Sequence, residues 1–269
     1  RRKDYVDTIV TFDIETTALD DIKQSVCYIW QCCIDGDIII GRTIESAKTL
    51  FDNMCRYLDD KTQVLCFVHN LAYEFEFLHE ILHFEDVFSI SKRHPLVARY
   101  KNIEFRCSYL QTNMSLRAFC EKMGVKSYKL KMNYKKRRYW YTDLTPKEIA
   151  YCLNDVRGLV EAISKELERD GDNLYTIPLT STGYARRDAK KAMRKVSKSY
   201  ITNQLPSYRL YKLLKQAFRG GNCHASRYYS TQIMNNVKSV DISSCYPDAI
   251  CNELYPVSKF FFVSSFITA

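Results

Sequence analysis

The chain has 269 residues, 46% of them hydrophobic, which suits one large globular domain or two ordinary ones. No stretch is long and apolar enough to cross a bilayer, and the eleven cysteines lie mostly in apolar runs without a CxxC pair, which argues against a membrane protein, a disulfide scaffold and a zinc domain. The formal net charge of +9 favours a polyanionic partner, and we expect a soluble, cytoplasmic, reduced protein.

The first predicted strand carries two carboxylates. Residues 8–17 read TIVTFDIETT, a β-branched and apolar run in which Asp13 and Glu15 are spaced i, i+2. Side chains two residues apart in a strand project from one face, about 6–7 Å from each other. Such a pair suits a hard divalent cation such as Mg²⁺, although solvated carboxylates at a strand end are the commoner arrangement.

Further elements follow in a regular order. Hydrophobic periodicity and turn residues predict a hairpin over 26–34 and 37–40, a helix over 45–58, a strand over 63–68 that leads into a helix over 72–82, paired strands at 96–100 and 103–107, and a short helix over 115–123.

The clearest helix begins after Thr145. Pro146 stands at its first position and Glu148 three residues after the cap, which is a capping box, and the apolar stripe continues to about Arg169. Strands flanked by such helices predict an α/β fold with a mixed sheet.

The composition changes near residue 172, where we place a boundary between a domain over 1–171 and one over 172–269. In the second domain the pattern predicts a helix over 207–218 and strands over 225–233 and 237–242.

Downstream segments could complete a metal site. Glu74 follows the buried strand 63–68, and Tyr151 and Asp155 lie one turn apart on one face of the capped helix. Lys129 lies between Glu74 and Tyr151 in the sequence. Four carboxylates with a tyrosine and a lysine suit phosphodiester hydrolysis by two cations about 3.5–4 Å apart.

In this arrangement Asp13 and Asp155 would hold one ion, and Asp13, Glu15 and Glu74 would hold the other. Tyr151 would orient the attacking water, and Lys129 would offset charge on the phosphate.

Together these segments resemble the three motifs of the 3′–5′ exonuclease domain of DNA polymerases. The segment Phe218-Arg219-Gly220-Gly221 resembles a Tyr-x-Gly-Gly linker, and DISSCYP at 241–247 resembles polymerase motif A. These last two narrow the resemblance to the protein-primed family B polymerases of bacteriophages and linear plasmids.

The resemblance implies an RNase H-like exonuclease domain followed by part of an α+β polymerase palm. It implies two Mg²⁺ or Mn²⁺ ions, a polymerase metal ligand at Asp241, and nucleotide contacts by Ile242 and Tyr246. It further implies a monomer that binds single-stranded DNA 3′ ends, primer–template DNA and a terminal protein. The implied DNA contacts are Thr16, His69, Asn70, Leu71, Phe77, Ser108, Arg219, Gly220 and Gly221.

Several residues depart from the family pattern or are ambiguous. Glu74 stands where the family has Asp, and Phe218 and Cys245 replace the usual Tyr and Leu. The Ser/Thr-Leu motif fits Ser115-Leu116 literally, but its distance from Lys129 favours Ser108. Basic clusters at 135–138, next to three aromatic residues, and across 186–198 suit either a solvated face or single-stranded nucleic acid.

With a single polymerase carboxylate segment, we expect this chain not to polymerise by itself. One alternative is a DNA- and terminal-protein-binding module in which Glu74 impairs the exonuclease. Another is a freestanding repair exonuclease, which would leave the segments 218–221 and 241–247 unexplained.

Overall fold

The computed structural model describes residues 4–19, 22–125, 130, 132–217, 224 and 226–255. The chain separates into two compact units between Asp188 and Ala189. The elements of the first unit are β1 Asp4–Tyr5, β2 Val10–Leu19, β3 Gln24–Ile34, β4 Asp37–Gly41, α1 Ile44–Arg56, β5 Thr62–Val68, α2 Leu71–Ile81, β6 Asp86–Ser91, β7 His94–Tyr100, β8 Ile103–Cys107, α3 Ser108–Thr112, α4 Leu116–Lys122 and α5 Pro146–Asp170. Helix α6, Ser181–Met193, crosses the boundary, and the second unit continues with α7 Lys198–Gln204, α8 Tyr208–Ala217 and α9 Cys245–Asn252.

The first unit is built on one eight-stranded sheet in the order β4-β3-β2-β5-β8-β7-β6, and β1 also pairs with β5. The strand β5 runs parallel to β1, β2 and β8, and the other pairs are antiparallel. The predicted mixed α/β sheet is therefore confirmed.

Helices cover both faces of this sheet. Phe12 on β2 packs in a core cluster with Phe51 of α1 and Leu78 of α2. On the opposite face, Phe67 of β5 packs with Leu159 of α5 and with residues of α4. Because side chains alternate along a strand, the neighbours of Phe12 on β2 project toward α5. The hydroxyl of Thr11 donates a hydrogen bond to the Val156 carbonyl of α5, which fixes this helix against β2.

The predicted cap of α5 is confirmed. The Thr145 hydroxyl accepts a hydrogen bond from the Glu148 amide, and the Glu148 carboxylate accepts one from the Thr145 amide at 2.8 Å. The helix ends at Asp170, and Gly171 follows with φ +63°, a left-handed conformation that glycine adopts without strain. The capping box therefore fixes the amino-terminal end of this long helix, and Gly171 ends it.

The prediction of strands over 225–233 and 237–242 is wrong. Residues 226–242 form turns and irregular backbone, and their side chains are exposed. β-Branched residues favour a strand only where a neighbouring strand supplies hydrogen bonds and packing, and the described part of the second unit contains no strand. The predicted helix over 207–218 is observed as α8, with residue 218 outside the described residues.

Several elements were not predicted from the sequence: strands β1 and β6 and helices α3, α6, α7 and α9. Within the described ranges, no helix is both long and apolar enough to cross a membrane.

Candidate metal centre

Three carboxylates from two elements converge on the α5 face of the sheet. Asp13 and Glu15 project from β2, and Asp155 lies in the middle of α5, which packs against that strand. One carboxylate oxygen from each lies within 4.8 Å of the others, and Glu15 and Asp155 are buried. Three oxygen ligands at such separations could bind one hard divalent cation. Among the residues the structure describes, no other group of this kind is found.

Glu74 lies in the first turn of α2 and is 4% exposed. Its carboxyl group is hydrogen-bonded to that of Asp13. Burial, and then the negative charges of Asp13 and Glu15, raise the pKa of Glu74 well above its usual value. Its second oxygen, Oε2, is buried and accepts no hydrogen bond within the described parts of the chain.

A buried carboxylate beside other carboxylates must gain a proton or a cation to offset the repulsion and the lost hydration. The unpartnered Glu74 Oε2 therefore fits a centre in which a divalent ion supplies the missing positive charge. The donor set, which consists of carboxylate oxygens, is the one that Mg²⁺ and Mn²⁺ prefer.

A side chain that the sequence interpretation missed contacts Asp13. Gln31 lies opposite Asp13 on the antiparallel strand β3, and its Nε2 donates a hydrogen bond to Asp13 Oδ2 at 2.6 Å. The signal available in the sequence was a single polar residue in the otherwise apolar run VCYIWQCCI.

Tyr151 is placed one turn before Asp155, as its spacing predicted, and is 2% exposed. Its hydroxyl lies 2.8 Å from that of Tyr134, whose ring is exposed. Burial, followed by the charges of Asp155 and Glu15, raises the pKa of Tyr151 far above its usual value. The phenol therefore stays neutral, so it can position a water molecule but cannot act as a base.

Two of the predicted DNA contacts meet at the carboxyl ends of the parallel strands β5 and β8. His69 Nδ1 lies 3.1 Å from Ser108 Oγ. Asn70 is exposed at the cap position of α2, and its side chain makes no capping hydrogen bond. Ser115, in contrast, caps α4 by accepting a hydrogen bond from the Ala118 amide. Of the two serines, Ser108 is the one whose hydroxyl lies within hydrogen-bond distance of His69, whereas Ser115 serves as a helix cap.

Thr16 lies at the same end of the sheet and contacts an exposed aromatic side chain. Its hydroxyl is hydrogen-bonded to that of Tyr73, whose ring lies 5.6 Å from that of Phe77, centroid to centroid. Tyr73 is 39% exposed and was not predicted as a site residue. Leu71 is wholly buried in the core, which leaves its side chain no surface for DNA.

Only part of the basic cluster at 135–138 is exposed to solvent. Arg138 is 2% exposed, and its guanidinium donates hydrogen bonds to the Glu148 carboxylate at 2.6 and 2.9 Å. Its backbone carbonyl accepts a hydrogen bond from the Thr17 hydroxyl, which ties this segment to β2. Arg138 therefore stabilises the fold, whereas Trp140 and Tyr141 are exposed.

The motif A residues Asp241, Ile242 and Tyr246 lie in the second unit and are exposed. Helix α9 begins directly after Ser244, which has a left-handed backbone. Lys129, Arg219, Gly220 and Gly221 lie outside the described residues, so their predicted roles stay predictions.

Comparisons with known proteins agree with this fold. The family model of DNA polymerase type B, organellar and viral, matches residues 99–268, more than half of the chain. No curated protein sequence matches the chain significantly.

Among solved structures, the chain resembles Phi29 DNA polymerase complexed with primer-template DNA and incoming nucleotide substrates, with a TM-score of 0.60 and 15% identity. It also resembles Phi29 DNA polymerase complexed with single-stranded DNA, with a TM-score of 0.60 and 17% identity. The matches cover 84% and 83% of this chain and 41% of each polymerase chain, so the sequence spans about two fifths of their length. Identities this low establish a shared fold, and the family match over residues 99–268 carries the assignment. The chain therefore belongs to the organellar and viral family of type B DNA polymerases.

Proposed function

We propose that the first unit is a 3′–5′ exonuclease that shortens single-stranded DNA from its 3′ end and releases nucleoside monophosphates. The observation that carries this proposal is the convergence of Asp13, Glu15 and Asp155 within 4.8 Å, with the buried carboxyl group of Glu74 against Asp13. Carboxylates brought together from a strand and two helices form the kind of centre that metal-assisted phosphodiester hydrolysis requires.

Asp13, Glu15, Glu74 and Asp155 would hold two Mg²⁺ or Mn²⁺ ions. When bound, such ions lower the pKa of a water molecule and neutralise charge that develops on the phosphate oxygens. The neutral hydroxyl of Tyr151, held by that of Tyr134, orients the attacking water. Lys129 is proposed to offset the remaining phosphate charge.

The 3′ end of the strand would lie along the polar and aromatic side chains at this end of the sheet. The exposed ring of Tyr73 and the half-buried ring of Phe77 offer stacking surfaces for bases, since stacking on aromatic side chains is largely independent of sequence. Backbone contacts would come from Thr16, the hydrogen-bonded pair of His69 and Ser108, and Asn70.

We further propose that the chain is part of a protein-primed polymerase, with an exonuclease domain over 1–171 and a linker and palm segment over 172–269. Asp241 would bind a polymerase metal ion, and Ile242 and Tyr246 would contact the incoming nucleotide. Arg219, Gly220 and Gly221 would contact DNA between the two activities. Primer–template DNA and a terminal protein would be the partners of this cytoplasmic monomer. A two-ion polymerase site needs further carboxylates in addition to Asp241.

Hydrolysis of a 5′-labelled single strand tests the exonuclease. We expect a Mg²⁺-dependent ladder of shortened products that EDTA abolishes. The double substitution Asp13→Ala and Glu15→Ala should lower the rate by at least about 10³-fold, because it removes ligands of both proposed ions. A matched control is Glu76→Ala, which changes an exposed carboxylate of α2 only two residues from Glu74.

Wild-type protein that binds the strand but yields no ladder in Mg²⁺ or Mn²⁺ would contradict the proposal and favour a DNA-binding module. A ladder on single-stranded RNA at a rate equal to that on DNA would favour a trimming or repair exonuclease instead.

A further inference from the structure

Gln31 is a buried polar residue directly beside the carboxylate cluster. It lies on β3 opposite Asp13 and has no exposed surface. Its side-chain amide donates a hydrogen bond from Nε2 to Asp13 Oδ2 at 2.6 Å. An ionised carboxylate can only accept hydrogen bonds, so the amide nitrogen has to face Asp13 and the amide oxygen has to face away.

The orientation of this amide leaves its oxygen without a partner. Gln31 Oε1 is buried and accepts no hydrogen bond among the residues that the structure describes. Burial of an unsatisfied carbonyl is unfavourable, and a methionine would fill a similar volume without that cost. Residues that are locally unfavourable for stability are typical of functional sites, where activity compensates for the loss.

We infer that Gln31 is a positioning residue that orients the Asp13 carboxylate for cation binding. With one oxygen held across the strand pair, the carboxylate cannot rotate freely about its Cβ–Cγ bond, and it stays turned toward Glu15 and Asp155. Hydrogen bonds from a second layer of residues orient metal ligands in this way, and their loss commonly weakens metal affinity by about 10–100-fold. The inference rests on the proposed function in one respect, namely that Asp13 holds a cation.

The chain offers a matched control in a second buried glutamine. Gln63 on β5 is 2% exposed, and its Oε1 is likewise buried without a described partner. It pairs with Tyr5 near the beginning of β5, whereas α2 and Glu74 follow the other end of that strand. A substitution at Gln63 therefore perturbs the same sheet to a similar degree at a distance from the carboxylates.

Mn²⁺ binding without DNA, followed by the electron paramagnetic resonance signal of the free ion, tests the inference on the full chain. Gln31→Met should raise the Kd for Mn²⁺ by about tenfold or more. Its melting temperature in EDTA should change little, since the lost hydrogen bond is offset by removal of the unsatisfied carbonyl. Gln63→Met should leave the Kd for Mn²⁺ at the wild-type value.

The outcomes separate this inference from the proposed function. If wild-type protein binds no Mn²⁺, the metal centre itself is wrong. If wild-type protein binds Mn²⁺ and Gln31→Met binds it equally well, or if both glutamine variants weaken binding to the same extent, Gln31 has no positioning role. Should Gln31→Met fail to fold, judged by its melting curve, Gln31→Leu removes the same hydrogen bond with a smaller side chain and is measured in the same way.

Discussion

The two units of the chain differ in the structural elements that carry their predicted site residues. In the first unit, Asp13 and Asp155 project from a central strand and a capped helix that are packed together, and both acquire buried neighbours. In the second, Asp241 and Tyr246 lie on exposed backbone and on the first turn of α9. Sequence motifs singled out all four residues. A motif therefore identifies the side chains of a site, but the site forms only where rigid elements bring those side chains together.

Amide hydrogen exchange should show the greatest difference between the two units. Amides of β2 and β5, at the centre of the sheet, should exchange at least about 10³-fold more slowly than those of residues 233–242, because a protected amide opens only when its unit unfolds. Exchange measured by mass spectrometry on the intact chain gives both rates in one experiment. Amides of α5 serve as an internal reference and should be as slow as those of the strands.

Equal protection in the two regions would contradict the comparison. It would mean that residues 233–242 are held by hydrogen bonds as strongly as the sheet, and that the second unit forms a stable core of its own.

Within the first unit, substitutions of Glu74 test whether this buried carboxylate belongs to the metal centre. Glu74→Gln keeps the shape of the side chain but cannot carry the negative charge that a cation would neutralise, and we expect the rate of 3′-end hydrolysis to fall on the order of 10²-fold. Glu74→Asp keeps the charge and should remain within about tenfold of wild type. Single-turnover hydrolysis of a labelled single strand measures both variants.

Glu76→Gln is the matched control, since this exposed residue lies on the same helix. A wild-type rate for Glu74→Gln would restrict the centre to Asp13, Glu15 and Asp155.

Local signals account for what could be predicted from the sequence. The capping box of α5 depends on residues three positions apart, and the β2 strand carries its alternation within ten residues. The i, i+2 pair on β2 and the i, i+4 pair on α5 likewise follow from the periods of a strand and a helix. The spacing of Tyr151 and Asp155 could therefore be predicted before the partner of either element was known.

Contacts between distant segments account for what could not be predicted. The hydrogen bond of Gln31 to Asp13 depends on strand register, and that of Tyr73 to Thr16 joins residues 57 positions apart. Arg138 looked like part of a basic surface, but it is buried against Glu148. The strands predicted over 225–242 failed for the same reason, because strand formation depends on a neighbour that the local sequence does not specify.

The smallest expected effect concerns the cap of α5, the helix that carries Tyr151 and Asp155. The Thr145 backbone amide, followed by the Arg138 guanidinium, lowers the pKa of Glu148 from 4.5 to about 2. The folded state thus binds this proton less readily than the unfolded state, so the cap stabilises the fold fully above about pH 4.5, and this contribution is lost as the pH falls toward 2. Glu148→Gln should lower the free energy of unfolding at pH 7 by about 1–2 kcal/mol, through loss of the charged partner of Arg138 and of part of the capping box.

Urea denaturation at pH 7 and at pH 3 measures this effect. The difference between variant and wild type should shrink at pH 3, because the Glu148 carboxylate then binds a proton in the unfolded wild-type protein more than in the folded one, which stabilises the unfolded state. Glu161→Gln on the same helix is the control. Its side chain is 39% exposed and forms a surface ion pair with Lys165 one turn away, so its loss should change stability by less than about 0.5 kcal/mol. A Glu148→Gln variant that is as stable as Glu161→Gln at pH 7 would mean that packing against β2, and not the cap, holds the amino-terminal end of α5 and with it the position of Tyr151.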